Sequence, residues 1–181
     1  PFVDENHFQY GVENWIQWDM AKDGYRILLS GPSGSGKTTL AQGLLSRIAR
    51  HLHGCEIYVL DYKNIDFAYL DGAKRYFVFD DTTDGFLEFY SIFEDRLRLL
   101  NLSRAKKIHV VVSCQKPLGE LFSSGSRESF SHKVLLQAPS KETINMIMPN
   151  FKDDIETCPT GVGYCTVNDT NLTKIRVPFP R

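Results

Sequence analysis

The amino-acid sequence predicts an α/β fold in which a mostly parallel central sheet carries helices on both faces. Apolar, strand-like runs alternate with amphipathic helical patterns between residues 26 and 148, as they do when crossover helices connect parallel strands. Beyond them, the runs 161–167 and 172–177 flank a polar Asn-Asp-Thr-Asn turn and predict a C-terminal β-hairpin. A glycine-rich segment between the first apolar run and the first helical pattern favours the same fold, because such segments commonly join a strand to a helix in α/β proteins.

Length and composition set the next limits. The chain has 181 residues and a formal net charge of −1, so we expect one domain over 1–181, in which 1–25 form a lead-in segment and 26–181 the core. The balanced charge neither requires nor excludes a nucleic-acid partner. No apolar run approaches the roughly 18 residues of a membrane span, and residues 1–5 lack the features of a signal peptide. Because the chain begins without Met, we expect it to be excised from a larger parent protein.

The cysteines indicate a reducing compartment. The four cysteines form no C-x-x-C pair, which argues against a zinc site or a redox motif. Most of them lie in or beside apolar, strand-like runs, as reduced, buried thiols of cytosolic proteins do.

The glycine-rich segment is a phosphate-binding motif. It matches G-x-x-x-x-G-K-[ST], follows the apolar run 27–29 and precedes the helical pattern 40–53, which is the strand-loop-helix context that this motif requires. Its glycines allow backbone N–H groups to converge on an anion, and the helix start adds a positive dipole end. The predicted binding residues are Gly31, Pro32, Ser33, Gly34, Ser35, Gly36, Lys37, Thr38 and Thr39.

Within such a loop the side chains have distinct roles. A lysine at the position of Lys37 reaches the β- and γ-phosphates, and a hydroxyl at the position of Thr38 binds the Mg²⁺ that bridges them. We therefore predict ATP and Mg²⁺ as ligands, with Lys37 also acting in catalysis.

Polar residues follow several of the later predicted strands. The run 55–60 ends on Asp61, the run 76–79 on Asp80 and Asp81, and the run 108–113 on Cys114 and Gln115. In open α/β sheets the carboxyl ends of the strands border the ligand crevice, so these side chains are candidates for a site. The acids have an alternative role as helix caps or loop residues, with Asp84 a candidate cap for the amphipathic helix 84–100.

Taken in order, these motifs resemble the motor domain of the FtsK/SpoIIIE family, within the HerA-FtsK group of P-loop ATPases. Asp61-Tyr62-Lys63 resembles the Asp-Pro-Lys signature of the family, with Tyr62 in place of proline. The segment 104–117 resembles its strand ending in Ala-Thr-Gln-Arg-Pro, and Gly161-Val162-Gly163-Tyr164 resembles its glycine-containing closing strand. The likeness spans roughly residues 25 to 177.

The resemblance implies a RecA-like P-loop NTPase fold and an ATPase that moves a polymer. The first choice of cargo is double-stranded DNA, held without sequence specificity, with residues 123–127 in the pore of a homo-oligomeric ring. Gln115 then acts in catalysis as a sensor beside the γ-phosphate, and a neighbouring subunit supplies an arginine finger. The domain is expected to be cytoplasmic, in a parent protein with a membrane anchor.

Two alternatives to a DNA motor stay open. Similar domains occur in membrane-bound ATPases of type VII secretion, which act on protein substrates. The chain is otherwise a degenerate, nucleotide-binding docking module without turnover.

One departure from the family pattern concerns the metal. The family has a strand ending in an Asp-Glu pair before the glutamine strand, and no such strand lies between residues 95 and 108. Either Asp61, Asp80 or Asp81 takes the Mg²⁺ role, with Asp61 the first candidate, or residues are missing between Asn101 and Leu102. We predict the missing segment; its rival is a sheet that closes without that strand, with residues 77–79 in its place.

Overall fold

The computed structural model describes residues 7–10, 16–19, 26–51, 56–100, 110–115, 130–137 and 140–177. Its contacts divide the chain into two compact units, which we call unit 1 (1–52 and 109–181) and unit 2 (53–108). The prediction of a single ATPase domain over 1–181 stays a prediction.

The secondary structure alternates as the sequence indicates. The strands are β1 (His7–Tyr10), β2 (Ile16–Asp19), β3 (Arg26–Ser30), β4 (Val59–Asp61), β5 (Tyr76–Val78), β6 (Val110–Cys114), β7 (His132–Leu136), β8 (Val162–Val167) and β9 (Asn171–Arg176). The helices are α1 (Lys37–His51), α2 (Asp81–Leu100) and α3 (Lys141–Ile147). Ser140 caps α3 by accepting a hydrogen bond from the Thr143 amide, and a 3₁₀ turn at Pro149–Phe151 follows that helix.

Unit 1 is built on a five-stranded sheet in the order β6-β3-β7-β8-β9. Strand β3 pairs in parallel with β6 on one side and β7 on the other, and β8 and β9 continue the sheet as antiparallel neighbours. The predicted α/β fold with a C-terminal hairpin is therefore confirmed. The lead-in segment contains a further antiparallel pair, β1 with β2, which we did not predict.

Both faces of this sheet are covered, because successive side chains of a strand point to opposite faces. On one face, Ile27 and Leu29 pack with Leu40 and Leu44 of α1. On the other face, Leu28 packs in a cluster that includes residues of α3. Each fully buried aliphatic side chain contributes about 1.5 to 3 kcal/mol relative to exposure, so the burial of Ile27, Leu28 and Leu29 holds β3 firmly in the sheet.

The β8–β9 hairpin closes through a turn at residues 168–170. Asn168 and Asp169 adopt left-handed backbone angles, with φ of 51° and 53°, which Asn and Asp tolerate better than most residues. The Asp169 carboxylate lies 2.6 Å from the ammonium of Lys133, a residue only 3% exposed. This ion pair ties the turn to β7.

Unit 2 contains β4 and β5, which pair in parallel, with α2 packed on them. Gly85 is buried where the helix meets the strands, because a Cβ there would lie 2.4 Å from the Phe77 ring. The predicted strand 55–60 is shorter than expected: among its described residues only Val59 and Leu60 are in β4, which runs on through Asp61.

The start of α2 corrects one prediction. The helix begins at Asp81, so the interpretation of Asp84 as its cap is wrong. Both the hydroxyl and the amide of Thr82 donate to the Phe79 carbonyl, at 2.6 and 3.2 Å, and these bonds start the helix earlier than expected. Asp84 lies in the first turn, where a carboxylate is favourable beside the positive end of the helix dipole.

Several predicted features lie outside the described residues. They are the position between Asn101 and Leu102 and the loop residues 123–127. Within the described part of the chain, no helix is long and apolar enough to cross a membrane.

The packing of β8 against β7 predicts a large effect of Gly163→Ala. A Cβ at this position would lie 2.2 Å from the Leu135 carbonyl oxygen, and relieving a clash with backbone requires the strands to separate. We expect the free energy of unfolding to fall by roughly 2 to 3 kcal/mol, measured by urea denaturation.

The matched control is Gly43→Ala in α1, where a Cβ meets nothing within 4 Å. This change removes a helix-interior glycine and is expected to stabilise by about 0.5 to 1 kcal/mol. Equal urea midpoints for the two variants would contradict the packing described above.

Candidate functional site

The predicted phosphate-binding loop leaves the buried end of β3 and enters α1. Gly34 and Gly36 have φ of 75° and 99°, a region that side chains disfavour. At Gly31 a Cβ would lie 2.7 Å from both the Leu136 carbonyl oxygen and the Ser35 hydroxyl. The spacing of the glycines in the sequence is therefore a requirement of the loop's path.

The loop combines an exposed tip with a buried base. Residues 32–34 are exposed, Ser35 is buried and residues 36–39 are half-buried. The Ser35 hydroxyl is buried with no hydrogen-bond partner among the described residues. A buried polar atom of this kind costs free energy unless it is satisfied, and it lies within the segment that the motif assigns to an anion.

Lys37 extends back over the loop from the first residue of α1. Its ammonium donates to the carbonyl oxygens of Gly31 and Pro32, at 2.7 and 2.8 Å. Thr38 and Thr39 follow in the first turn of α1 and are half-buried. The structure thus gathers a positive charge, a helix start and two hydroxyl residues at one loop, which suits a polyphosphate.

Gln115 lies next to this loop in the sheet. Ser30 is opposite Cys114 in the parallel register of β3 and β6, so the residue after each strand, Gly31 and Gln115, occupies neighbouring positions. The Ser30 hydroxyl donates to the Gln115 carbonyl oxygen at 3.4 Å. The Gln115 residue is exposed.

The Cys114 thiol belongs to the last residue of β6, directly before Gln115. Burial raises its pKa, while a hydrogen bond with Ser30 and the positive charge of Lys37 oppose that shift. The thiol therefore stays neutral at neutral pH.

Asp61, in unit 2, has local hydrogen-bonding partners. It is 9% exposed, and its Oδ2 accepts from the Phe67 amide at 3.0 Å and from the Tyr76 hydroxyl at 3.3 Å. That hydroxyl also lies 2.9 Å from the Asn64 amide oxygen. Burial, and then the charge of Asp61, raise the pKa of Tyr76, so the phenol remains a donor and the carboxylate closes the 62–67 loop.

The other candidate acids are at a helix start. Asp80 precedes α2 and Asp81 is its first residue, and both are exposed. Across the residues whose placement is described, no group of three or more His, Cys, Asp or Glu side chains could hold a metal ion. The Mg²⁺ roles of Thr38 and Asp61 stay predictions.

Two contributors to the loop were not identified from the sequence. Ser30 joins the ends of β3 and β6, and no sequence signal distinguishes it from other strand-end serines. The Gly161 amide donates to the Ser35 carbonyl oxygen at 3.1 Å. The glycines before the last hairpin were a signal that the backbone approaches something closely there, but they did not identify the partner.

This geometry, a glycine-rich loop between a strand and a helix on a mixed α/β sheet, is that of a P-loop fold. No model of a known protein family matches the sequence, and no curated protein matches it. Structure comparison gives clear neighbours.

One neighbour is the pCW3 conjugation coupling protein TcpA with ATPγS, at 14% identity and a TM-score of 0.67, covering 96% of this chain and 66% of that one. Another is the cytoplasmic domain of the Thermomonospora curvata type VII secretion ATPase EccC, at 11% identity and a TM-score of 0.74, covering 97% of this chain and 26% of that one. A third is the genome packaging NTPase B204 of Sulfolobus turreted icosahedral virus 2 with ATP-gammaS, at 10% identity and a TM-score of 0.59, covering 87% of this chain and 100% of that one.

These likenesses establish the fold. The chain has the RecA-like P-loop ATPase fold that the sequence predicts. It spans about two thirds of TcpA and about a quarter of EccC.

The hydrogen bonds of Asp61 predict a structural effect of Asp61→Ala. Removing the carboxylate leaves the Phe67 amide and the Tyr76 hydroxyl without this acceptor, which costs about 1 to 3 kcal/mol. If these bonds are the role of Asp61, the melting temperature falls and the Mg²⁺ concentration for half-maximal ATP binding is unchanged.

The control for charge removal is Asp153→Ala, at an exposed aspartate of unit 1. If Asp61→Ala leaves the melting temperature unchanged and raises the Mg²⁺ requirement, Asp61 belongs to the metal site and the structural role is wrong.

Proposed function

We propose that this chain binds ATP with Mg²⁺ and hydrolyses it, as an FtsK/SpoIIIE-type motor domain that moves DNA. The observation that carries the proposal is the juxtaposition at the end of β3: the Lys37 ammonium lies over the loop carbonyls, and Gln115 follows the adjacent strand. The parent protein would act as a homo-oligomeric ring on double-stranded DNA without sequence specificity.

The residues of the loop fit a triphosphate. The N–H groups of the glycine-rich turn and of the start of α1 would bind the phosphate oxygens. Lys37 would exchange its carbonyl partners for the β- and γ-phosphates and neutralise charge that develops during transfer. Thr38 would hold Mg²⁺, which when bound neutralises phosphate charge. Gln115 would orient the attacking water or sense the γ-phosphate.

DNA remains the first choice of cargo. The motif order resembles the FtsK/SpoIIIE family, and the structural neighbours include a conjugation coupling protein and a genome packaging NTPase. Binding without sequence specificity would rest on contacts to the DNA phosphates, so the affinity for DNA would fall steeply as the salt concentration rises.

A protein cargo is the second candidate. One structural neighbour contains ATPases 2 and 3 of EccC in complex with a signal sequence peptide, with a TM-score of 0.72 and 11% identity. In this alternative the chain belongs to a type VII secretion ATPase. The docking module without turnover is the third candidate, favoured by the absence of a strand ending in Asp-Glu within the described residues.

The three candidates differ in what stimulates ATP hydrolysis. Steady-state hydrolysis by the parent protein should be measured alone, with duplex DNA of random sequence, and with a secretion signal peptide. Stimulation by DNA that falls as salt rises supports the motor on DNA, and stimulation by the peptide alone supports secretion. Tight ATP binding with no hydrolysis under any of these conditions would contradict the proposal in favour of the docking module.

For the loop, we predict that Lys37→Ala abolishes ATP binding or hydrolysis. The ammonium donates to loop carbonyls, and Lys37 does not belong to either core cluster of the described residues, so folding should change little. Isothermal titration calorimetry with ATP·Mg²⁺ measures the effect.

The matched control is Lys141→Ala, because Lys141 is also the first residue of a helix and is exposed. Unchanged ATP affinity in Lys37→Ala would show that the loop does not bind phosphate in the proposed way.

For the adjacent strand, we predict that Gln115→Ala lowers kcat about tenfold or more, because one positioned polar group is lost at the chemical step. ATP affinity should stay close to that of the unmodified protein. Ser113→Ala, at an exposed position of the same strand, should leave kcat unchanged. A normal kcat with a raised KM would assign Gln115 to binding and not to chemistry.

A further inference from the structure

A residue distant in sequence forms a hydrogen bond with the base of the phosphate-binding loop. The amide of Gly161, immediately before β8, donates to the Ser35 carbonyl oxygen at 3.1 Å. Ser35 itself is buried, so this hydrogen bond lies at the base of the loop and not at its exposed tip.

The bond fixes the orientation of one peptide plane. In a trans peptide the C=O of one residue and the N–H of the next point in opposite directions. Because the Ser35 carbonyl points at Gly161, the Gly36 N–H must point away from Gly161. The hairpin therefore sets the direction of a loop N–H group that is available for phosphate.

Gly161 is itself held in place. The Val177 amide, just after β9, donates to the Gly161 carbonyl oxygen at 2.7 Å. Gly161 has a φ of 77°, which disfavours a side chain. Its Cα lies close to the loop: a Cβ built on Gly36 would be 3.5 Å from it, which is ordinary van der Waals contact.

We propose that Gly161 is a positioning residue for nucleotide binding, which couples the C-terminal β-hairpin to the phosphate-binding loop. The proposal rests on the proposed function, since it assigns a direction to an N–H group that would bind ATP. Backbone N–H groups of such a loop hold the α- and β-phosphates, which ATP and ADP share, so the affinities for both nucleotides should fall together.

The first test is Gly161→Ala, compared with Gly72→Ala. Gly72 has a nearly equal φ of 80° and no atom within 4 Å of a built Cβ, so an alanine there strains the backbone in the same way. Gly72 belongs to unit 2, whereas the loop belongs to unit 1. Alanine disfavours the φ that points the Gly161 N–H at Ser35, so we expect Gly161→Ala to misplace this bond and to weaken ATP and ADP binding about three- to tenfold. Gly72→Ala should bind both with unmodified affinity.

A second variant removes the hydrogen bond without adding a side chain. A synthetic peptide of residues 158–181 can be ligated at the native Cys158, with glycolic acid in place of Gly161, so that an ester oxygen replaces the N–H. The matched control carries an ester in place of the Thr170 amide, which donates to Val167 in the hairpin turn. Far-UV circular dichroism verifies that both ligated chains are folded at the temperature of titration.

The outcomes separate the two proposals. A three- to tenfold loss of ATP and ADP affinity in the Gly161 ester alone supports the inference, because a general loss of hairpin stability would affect the Thr170 ester equally. Equal affinities for both esters and the unmodified chain overturn the inference and leave the proposed function intact. Failure of the unmodified chain to bind ATP overturns the proposed function, and the inference with it.

Discussion

The constraint on which the candidate site depends is the position of β3 inside the sheet, with a parallel partner on each side. This strand is hydrogen-bonded on both sides, and the side chains of Ile27, Leu28 and Leu29 are completely buried. A strand held in this way cannot shift along its axis without breaking two ladders of backbone hydrogen bonds and exposing both core clusters. Its last residue therefore fixes where the loop begins, and the register with β6 fixes which residue of that strand lies beside it.

The sequence predicted most of this arrangement because two strong local signals agree. Fully apolar runs identify buried strands, and the spacing of glycines with Lys37 identifies the loop between strand and helix. The sequence was less informative where several neighbouring residues suit the same structural role. Asp80, Asp81, Thr82 and Asp84 are all suited to a helix start, and the sequence does not tell which of them the hydrogen bonds to Phe79 favour.

The sequence did not predict the contacts between segments that are distant along the chain. The bond from Gly161 to Ser35 joins two backbones, and backbone groups leave no signature in side-chain pattern. The role of Asp61 was ambiguous for a related reason: an acid at a strand end suits both a metal and a nearby amide, and only the path of residues 62–67 provides the amide. The Gln115 hypothesis stays a prediction, and the sequence did not predict the register of β3 with β6 that brings Gln115 beside Gly31.

The C-terminal hairpin forms by pairing of two strands that are adjacent in sequence. The loop that it contacts depends on pairing between strands that are far apart in sequence. Strands β8 and β9 are neighbours in sequence and close through a short turn, so they can form early, whereas the loop must wait for pairing of β3 with β6 and β7, which carries a larger loop-closure entropy. During synthesis the loop emerges from the ribosome long before Gly161 and Val177 do. The nascent chain consequently cannot complete the base of this loop until almost all of the chain described here has been made.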